Sequence, residues 1–302
     1  MTVFLSGLTP FLSNLAVVNY IKVACLALLT YDTVTTLNLE FEYIWKRRWT
    51  VVKALYLYSR YSTFIDTFIA VYERLGPNIT DCNRTMTFTT IYAGWGISLS
   101  EVLLMIRTYA IYSRSRTIVI FFIFLWVPLA SISIWAAIKW TGAISNDDTL
   151  SQLMHEASLP GNIECLLTRQ SKISIVCYGA FLAGETVIVL MTAYKAFSTW
   201  RCARRAGTTN SYLITSFYRD GILLYFAILP FTIVGALGPL YLPPGLSDVG
   251  ETPLRVMHTI LTCHLILRVR HIAQEEETST HKISVLRFAT NSNLYGSETE
   301  VV

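Results

Sequence analysis

Five ionisable residues fall inside long apolar stretches of this sequence: Asp32, Arg60, Asp66, Glu101 and Glu185. If those stretches cross a bilayer, each charge costs on the order of 2.5 to 3.5 kcal/mol to insert, so each is expected to face other helices and find a partner there. Two chemistries follow. Carboxylates with an arginine in an apolar interior can line a pocket for a polar ligand or an ion, and a carboxyl shielded from water can donate a proton to a substrate. The same residues can also serve only to fix helix packing through salt bridges, because buried polar groups need partners whether or not they do chemistry. Counted along their helices, Asp32, Arg60 and Glu101 are expected to share one polar layer about 10 to 17 Å from the inner boundary, with Glu185 at its edge. Asp32 with Arg60 is the first-choice pair, and Glu101 is the member expected to stay protonated or to act.

Other reactive patterns are absent. His258 and His264 lie six residues apart, so they do not share a helix face as a His-x-x-x-His metal pair does, and no metal or other cofactor is expected. The sequence contains no P-loop, Gly-x-Ser-x-Gly or His-Glu-x-x-His pattern.

The elements that position these residues are set by composition. The chain has 302 residues, 53% hydrophobic and 15% charged, with a mean hydropathy of +0.47, which is too apolar for an ordinary soluble domain. Its net charge of +4 does not point to nucleic acid, because Lys and Arg gather in short connections between apolar runs. A bilayer core takes about 20 apolar residues per helix. Seven runs qualify, at residues 15–39, 51–72, 88–112, 117–138, 173–199, 213–237 and 252–268. The expected fold is therefore all-α, a polytopic seven-helix membrane bundle over residues 15–270. A short outer segment precedes it at 1–14, and a largely disordered cytoplasmic tail follows at 271–302.

Loop charges orient the bundle. Lys46, Arg47 and Arg48 stand between Trp45 and Trp49, with Lys53 just beyond. Arg114 and Arg116 follow in the third connection, and Lys195, Arg201, Arg204 and Arg205 in the fifth. Cationic loops stay in the cytoplasm, so the N-terminus faces out and the C-terminus in. The first 20 residues lack a positive n-region and a small-residue cleavage site, and no removed signal peptide is expected. Asn78 and Asn83 begin glycosylation acceptor patterns in an outer connection. Of six cysteines, only Cys82 and Cys165 fall on the outer, oxidising side, and they are expected to form a disulfide. Pro128 and Pro230 interrupt the fourth and sixth runs, where kinks are expected.

Tyr31-Asp32, the acids Glu40 and Glu42, the Trp45-Lys46-Arg47-Arg48-Trp49 loop and Arg60-Tyr61 together resemble the signature of a fungal, chiefly basidiomycete, seven-helix membrane family. That family is known only as a domain of unknown function. The likeness extends through MIRTYAIYSRSR and FYRDGILLYF, and it implies a fold and a membrane location but no reaction. A weaker resemblance is to G-protein-coupled receptors, in the seven helices, the outer N-terminus and the cysteine before the third helix. Arg107 in Ile106-Arg107-Thr108-Tyr109 is similar to the arginine of the receptor Asp-Arg-Tyr motif, although the preceding acid is missing, and so is Asn-Pro-x-x-Tyr in the seventh run. The seventh run also lacks the lysine that a likeness to opsins would require for a retinal Schiff base. At similar depth across the third and sixth helices, Arg107 and Asp220 are expected to form a cytoplasmic lock.

Three function classes stay open. The leading one is a receptor-like sensor of a small ligand, with a cytoplasmic signalling partner at the basic inner loops. The second is an integral-membrane enzyme of the terpene cyclase-like kind, using Asp32, Glu101 or Glu185 as proton donors. The third is a structural membrane component without a ligand. The expected location is the plasma membrane or another membrane of the secretory pathway, and no nucleic-acid partner is expected.

Overall fold

A computed structural model describes residues 2–76, 82–144, 173–205, 227–243, 246 and 249–296. These residues are all-α, without a strand among them. Helix α1 runs over Thr2–Glu40 and passes directly into a π-helical turn, Phe41–Trp45. Then come α2 (Val51–Leu75), α3 (Cys82–Ile111), α4 (Arg116–Ile144), α5 (Ser174–Arg205), α6 (Ala227–Tyr241) and α7 (Glu251–Gly296).

Four helical stretches are long and apolar enough to cross a membrane: Ser13–Trp45, Thr87–Ile111, Arg116–Lys139 and Ile175–Cys202. Helices α2 and α7 are long enough but carry more charge, part of which is turned inward. The interior holds Arg60, Asp66, Glu73, Glu101, Glu185, Arg255 and His258, each at most 5% exposed. The outward face of α4 presents Ile120, Phe121, Ile123, Phe124, Trp135 and Ile138. Water would make this arrangement unfavourable, since large apolar patches lose by exposure and unpaired charges lose by burial. Hydrocarbon reverses the first term, and pairing removes the second. The chain is a membrane-embedded protein.

Helix α7 lies against α1, α2 and α3, α2 pairs with α1 and α3, and α5 packs on α3 and α4. The largest apolar cluster joins Ile97, Leu104 and Met105 of α3 to Phe122 of α4, Phe181 and Ile188 of α5, Ile228 of α6, and Leu254 and Leu265 of α7. A second, around Leu29, Val256 and Ile260, seats α1 on α7.

The π turn follows from where its caps come from. The Lys46 amide donates back to the Phe41 carbonyl at 3.2 Å, five residues away, which widens the last turn. The exposed carbonyls of Trp45 and Arg47 both accept from Lys53 Nζ, at 3.0 and 2.8 Å. Thr50 caps α2 by accepting from the Lys53 amide at 3.2 Å. One lysine thus closes the end of α1 and opens α2.

Three boundaries depart from the sequence reading. Helix α1 begins at Thr2 instead of after a short separate segment at 1–14. It also continues past residue 39, so Glu40 belongs to the bundle instead of the loop. Helix α7 extends to Gly296, across the stretch expected to lose its structure after Arg270. Its Gln-Glu-Glu-Glu run is built of good helix formers. Helix α4 runs through Pro128 as one element.

Candidate functional site

Three buried polar clusters share α7 as their common wall. The first lies toward the end of the bundle that carries the basic loop. Arg60 of α2 is 1% exposed and its Nη1 donates to Tyr56 Oη at 2.9 Å. Its Nη2 reaches Thr36 Oγ1, and its Nε stands 3.1 Å from Glu40 Oε2, an ion pair set off the hydrogen-bonding angle. Glu40, fully buried, also accepts from Trp45 Nε1 at 3.1 Å and Tyr61 Oη at 2.9 Å. Asp32 stands 3.8 Å from Arg60 Nη2 but only 2.6 Å from His264 Nε2 of α7. The arginine's nearest acid is therefore Glu40, where the sequence reading had put Asp32 first. Asp32, Thr36 and Glu40 are four residues apart on α1 and share the face turned to α2.

Just below this cluster the basic loop is fastened to α7. Arg47 Nη2 donates to Gln274 Oε1 at 2.6 Å, Arg270 Nη1 donates to the Tyr43 carbonyl at 2.9 Å, and the rings of Tyr43 and His271 meet edge to face at 5.3 Å. Partial burial, together with the charge of Arg47, lowers the pKa of Arg270 from the ordinary arginine value.

The second cluster lies toward the opposite end. Arg255 of α7 donates from Nε to Asp66 Oδ2 at 2.7 Å, from Nη1 to Thr259 Oγ1 at 3.0 Å and from Nη2 to Ser62 Oγ at 2.9 Å. Thr259 and Thr63 share a hydrogen bond of 2.8 Å, and Ser59 and Ser100 one of 3.0 Å, which ties α2 to both α7 and α3. The guanidinium lies over Gly96 of α3, where a Cβ would fall 2.1 Å from Nη2, so only glycine leaves it room. Beside this pair a narrow cleft opens among α1, α2, α3 and α7, its ≈ 350 Å³ including the open solvent at its mouth and its interior offering room for about one water. Lys22, Asp66, Glu73, Thr89, Glu251 and Arg255 supply its polar lining, with Thr89 donating to Glu73 at 2.8 Å.

The third cluster joins α3, α5, α6 and α7. Glu185 of α5 is 2.5 Å from His258 Nε2 and accepts from Thr232 Oγ1 of α6 at 3.0 and 3.2 Å on its two oxygens. Glu101 of α3 packs over Gly184, whose missing Cβ would sit 3.5 Å from Glu101 Oε1 and 3.5 Å from a Leu129 methyl of α4. Oε1 of Glu101 and Nδ1 of His258 are buried without a hydrogen-bond partner.

Residues 20–65 match the model of a family of unknown function, DUF6533. No curated protein and no solved structure matches the chain. The matched segment is the α1–α2 hairpin with its π turn, and it holds Asp32, Thr36, Glu40, Trp45, Lys53, Tyr56 and Arg60. Every residue of the first cluster except His264 lies within it.

The single polar layer expected of Asp32, Arg60, Glu101 and Glu185 is two groups in the structure. Asp32 and Arg60 belong to the first cluster, while Glu101 and Glu185 belong to the third, because α1 packs on α2 and α7 and Glu101 faces α5. Four contributors were missed from sequence: Glu40, Lys22, Arg255 and the ion-paired role of His258. Arg255 and Lys22 were legible in principle, since a cation inside an apolar run calls for an acid on a neighbouring helix. Glu40 was not, because it lay one residue past the expected end of its helix. Arg107 lies on α3, half-buried. Asp220, Asn78 and Cys165 fall outside the described residues, as do the side chains of Cys82 and Asn83. Cys25, Cys177, Cys202 and Cys263 are free thiols. Among the described residues no group of three or more His, Cys, Asp or Glu is placed to hold a metal ion.

Proposed function

We propose that this chain is a seven-span, receptor-like sensor, with the basic loop in the cytoplasm, and that a small polar ligand enters the cleft beside Asp66 and Arg255. One observation carries the reading. Helix α7 closes ion pairs with three different helices, two of them buried, Arg255 with Asp66 of α2 and His258 with Glu185 of α5, and one half-exposed, His264 with Asp32 of α1, and then grips the basic loop through Arg270 and Gln274. A shift of that one helix must remake all of these contacts together. A ligand that competes for Asp66 or Arg255 would bias the shift, since breaking one side of a buried pair costs about 3–5 kcal/mol and the ligand's differential binding has to cover it. The basic loop and the helical extension of α7 would then offer a changed surface to a cytoplasmic partner. The resemblance to G-protein-coupled receptors, and the lock between Arg107 and Asp220, belong to the same reading.

The test needs no known ligand. Spin labels at Arg48→Cys and Ala273→Cys, in a Cys202→Ser background, report the separation of the loop from α7. Replacing Asp66 by Asn at the far end is expected to shift or broaden that distance distribution. An unchanged distribution in a folded Asp66→Asn protein would sink the sensor reading. The terpene cyclase-like alternative keeps one observation, the buried Glu101 carboxyl beside Leu129. Conversion of an isoprenoid by the purified protein would favour it.

A further inference from the structure

Glu101, Glu185 and His258 lie away from the ligand cleft, and nothing in the sensor reading uses the unpaired Glu101 oxygen. We propose that these three residues form a buried proton-binding site at the centre of the bundle, with Glu101 as the group that takes up and releases the proton.

The geometry assigns the roles. Glu185 accepts from Thr232 on both oxygens and lies 2.5 Å from His258 Nε2, so its lone pairs are engaged as those of a carboxylate are. Glu101 has no such support. It is 5% exposed, its Oε1 is unpartnered, and its charged neighbour among the described residues is the anionic Glu185. Among the described residues the facing elements add no other charge at Glu101: α4 contributes Leu129 and α6 contributes Thr232. On α7 the next charge is Arg255, which is committed to Asp66. A second carboxylate facing Glu185 would add negative charge to a buried site, a state that a low dielectric penalises heavily. With Glu101 protonated, no second negative charge faces the Glu185–His258 pair. Release of the Glu101 proton to water leaves a single negative charge facing Glu185, which pushes α3 and α5 apart at Gly184. Uptake reverses this. Proton binding thereby biases the packing of α3 on α5, and α5 is joined to α7 by the His258 contact, so the arrangement of the sensor would respond to pH.

Infrared spectroscopy of the full chain in detergent or lipid tests this directly, through the carbonyl stretch of a protonated carboxylic acid. At neutral pH the band is expected to be present, to move in D₂O and on ¹³C-glutamate labelling, and to vanish in Glu101→Gln. It is expected to disappear on raising the pH. Two further variants fix its position. Glu185→Gln removes an anion and should weaken proton binding, carrying the loss of the band to lower pH. His258→Gln removes the partner that offsets the Glu185 charge and should carry it to higher pH. Each shift is expected to be about tenfold or more in proton affinity. A band that is absent at neutral pH, that persists in Glu101→Gln, or that neither variant moves would overturn the proposal. A band present at every pH at which the chain stays folded would also overturn it, since Glu101 would then be a fixed neutral donor.

Discussion

Replacing Gly96 by Ala tests whether the Arg255–Asp66 pair holds the bundle together. The new methyl would lie 2.1 Å from Nη2, 2.3 Å from Cζ and 2.8 Å from Nε of Arg255. To reach an ordinary contact near 3.4 Å the guanidinium has to retreat by about 1.3 Å. It cannot do so while keeping Asp66, Ser62 and Thr259 at 2.7, 2.9 and 3.0 Å. Loss of one charge-assisted bond costs about 1.5–3 kcal/mol, and full separation of a buried pair about 3–5 kcal/mol, so the expected destabilisation is about 3 kcal/mol. Gly94, two residues earlier on the same helix, supplies the control. Its Cβ would meet nothing within 4 Å, so Gly94→Ala should be neutral or stabilising by up to about 1 kcal/mol from helix propensity. Unfolding in mixed micelles, followed by circular dichroism, measures both. In the background Asp66→Leu with Arg255→Met, which removes the pair, the cost of Gly96→Ala should fall by more than half. Equal stability of the two alanine variants, or an unchanged cost in that background, would refute the reasoning.

Glu40→Ala leaves Arg60 with its neutral partners and the more distant Asp32, and removes the acceptor for Trp45 and Tyr61, so it should cost about 3 kcal/mol. Asp32→Ala should cost less than Glu40→Ala, and Asp32→Asn less again because it retains a polar partner for His264; the same micelle unfolding assay ranks the three, and a larger cost for Asp32→Ala would reverse the assignment of Arg60's main acid. For the outer connections, peptide mapping without reduction should recover Cys82 linked to Cys165, while Cys25, Cys177, Cys202 and Cys263 take up alkylating reagent once the chain is denatured. Removal of N-linked glycan should change the mass of peptides carrying Asn78 or Asn83 when the chain is made in a secretory host, and an unmodified mass would exclude both sites.

Composition and patterning alone determined the membrane class, the helical content and the identity of most costly residues. An apolar run of sufficient length has to satisfy its own backbone as a helix in hydrocarbon, and an ionisable side chain within it has to face inward, so Asp32, Arg60, Asp66, Glu101 and Glu185 could be named without coordinates. Residue counting also gave their depth, because each residue adds about 1.5 Å along a helix. It could not give azimuth. Each residue also turns the helix by roughly a quarter of a circle or more, so partner choice depends on how each helix is rotated and on where it ends. Counting puts Asp32 and Arg60 at one depth, yet helix packing sets Glu40 nearer to the guanidinium and Asp32 against His264. Counting puts Glu101 at that depth as well, but α3 turns it toward Gly184. Arg255 and Asp66 stand 189 residues apart in the chain, and they pair because Gly96 opens a space on a third helix. Such three-body arrangements have no periodicity, and they exist only once the helices are packed.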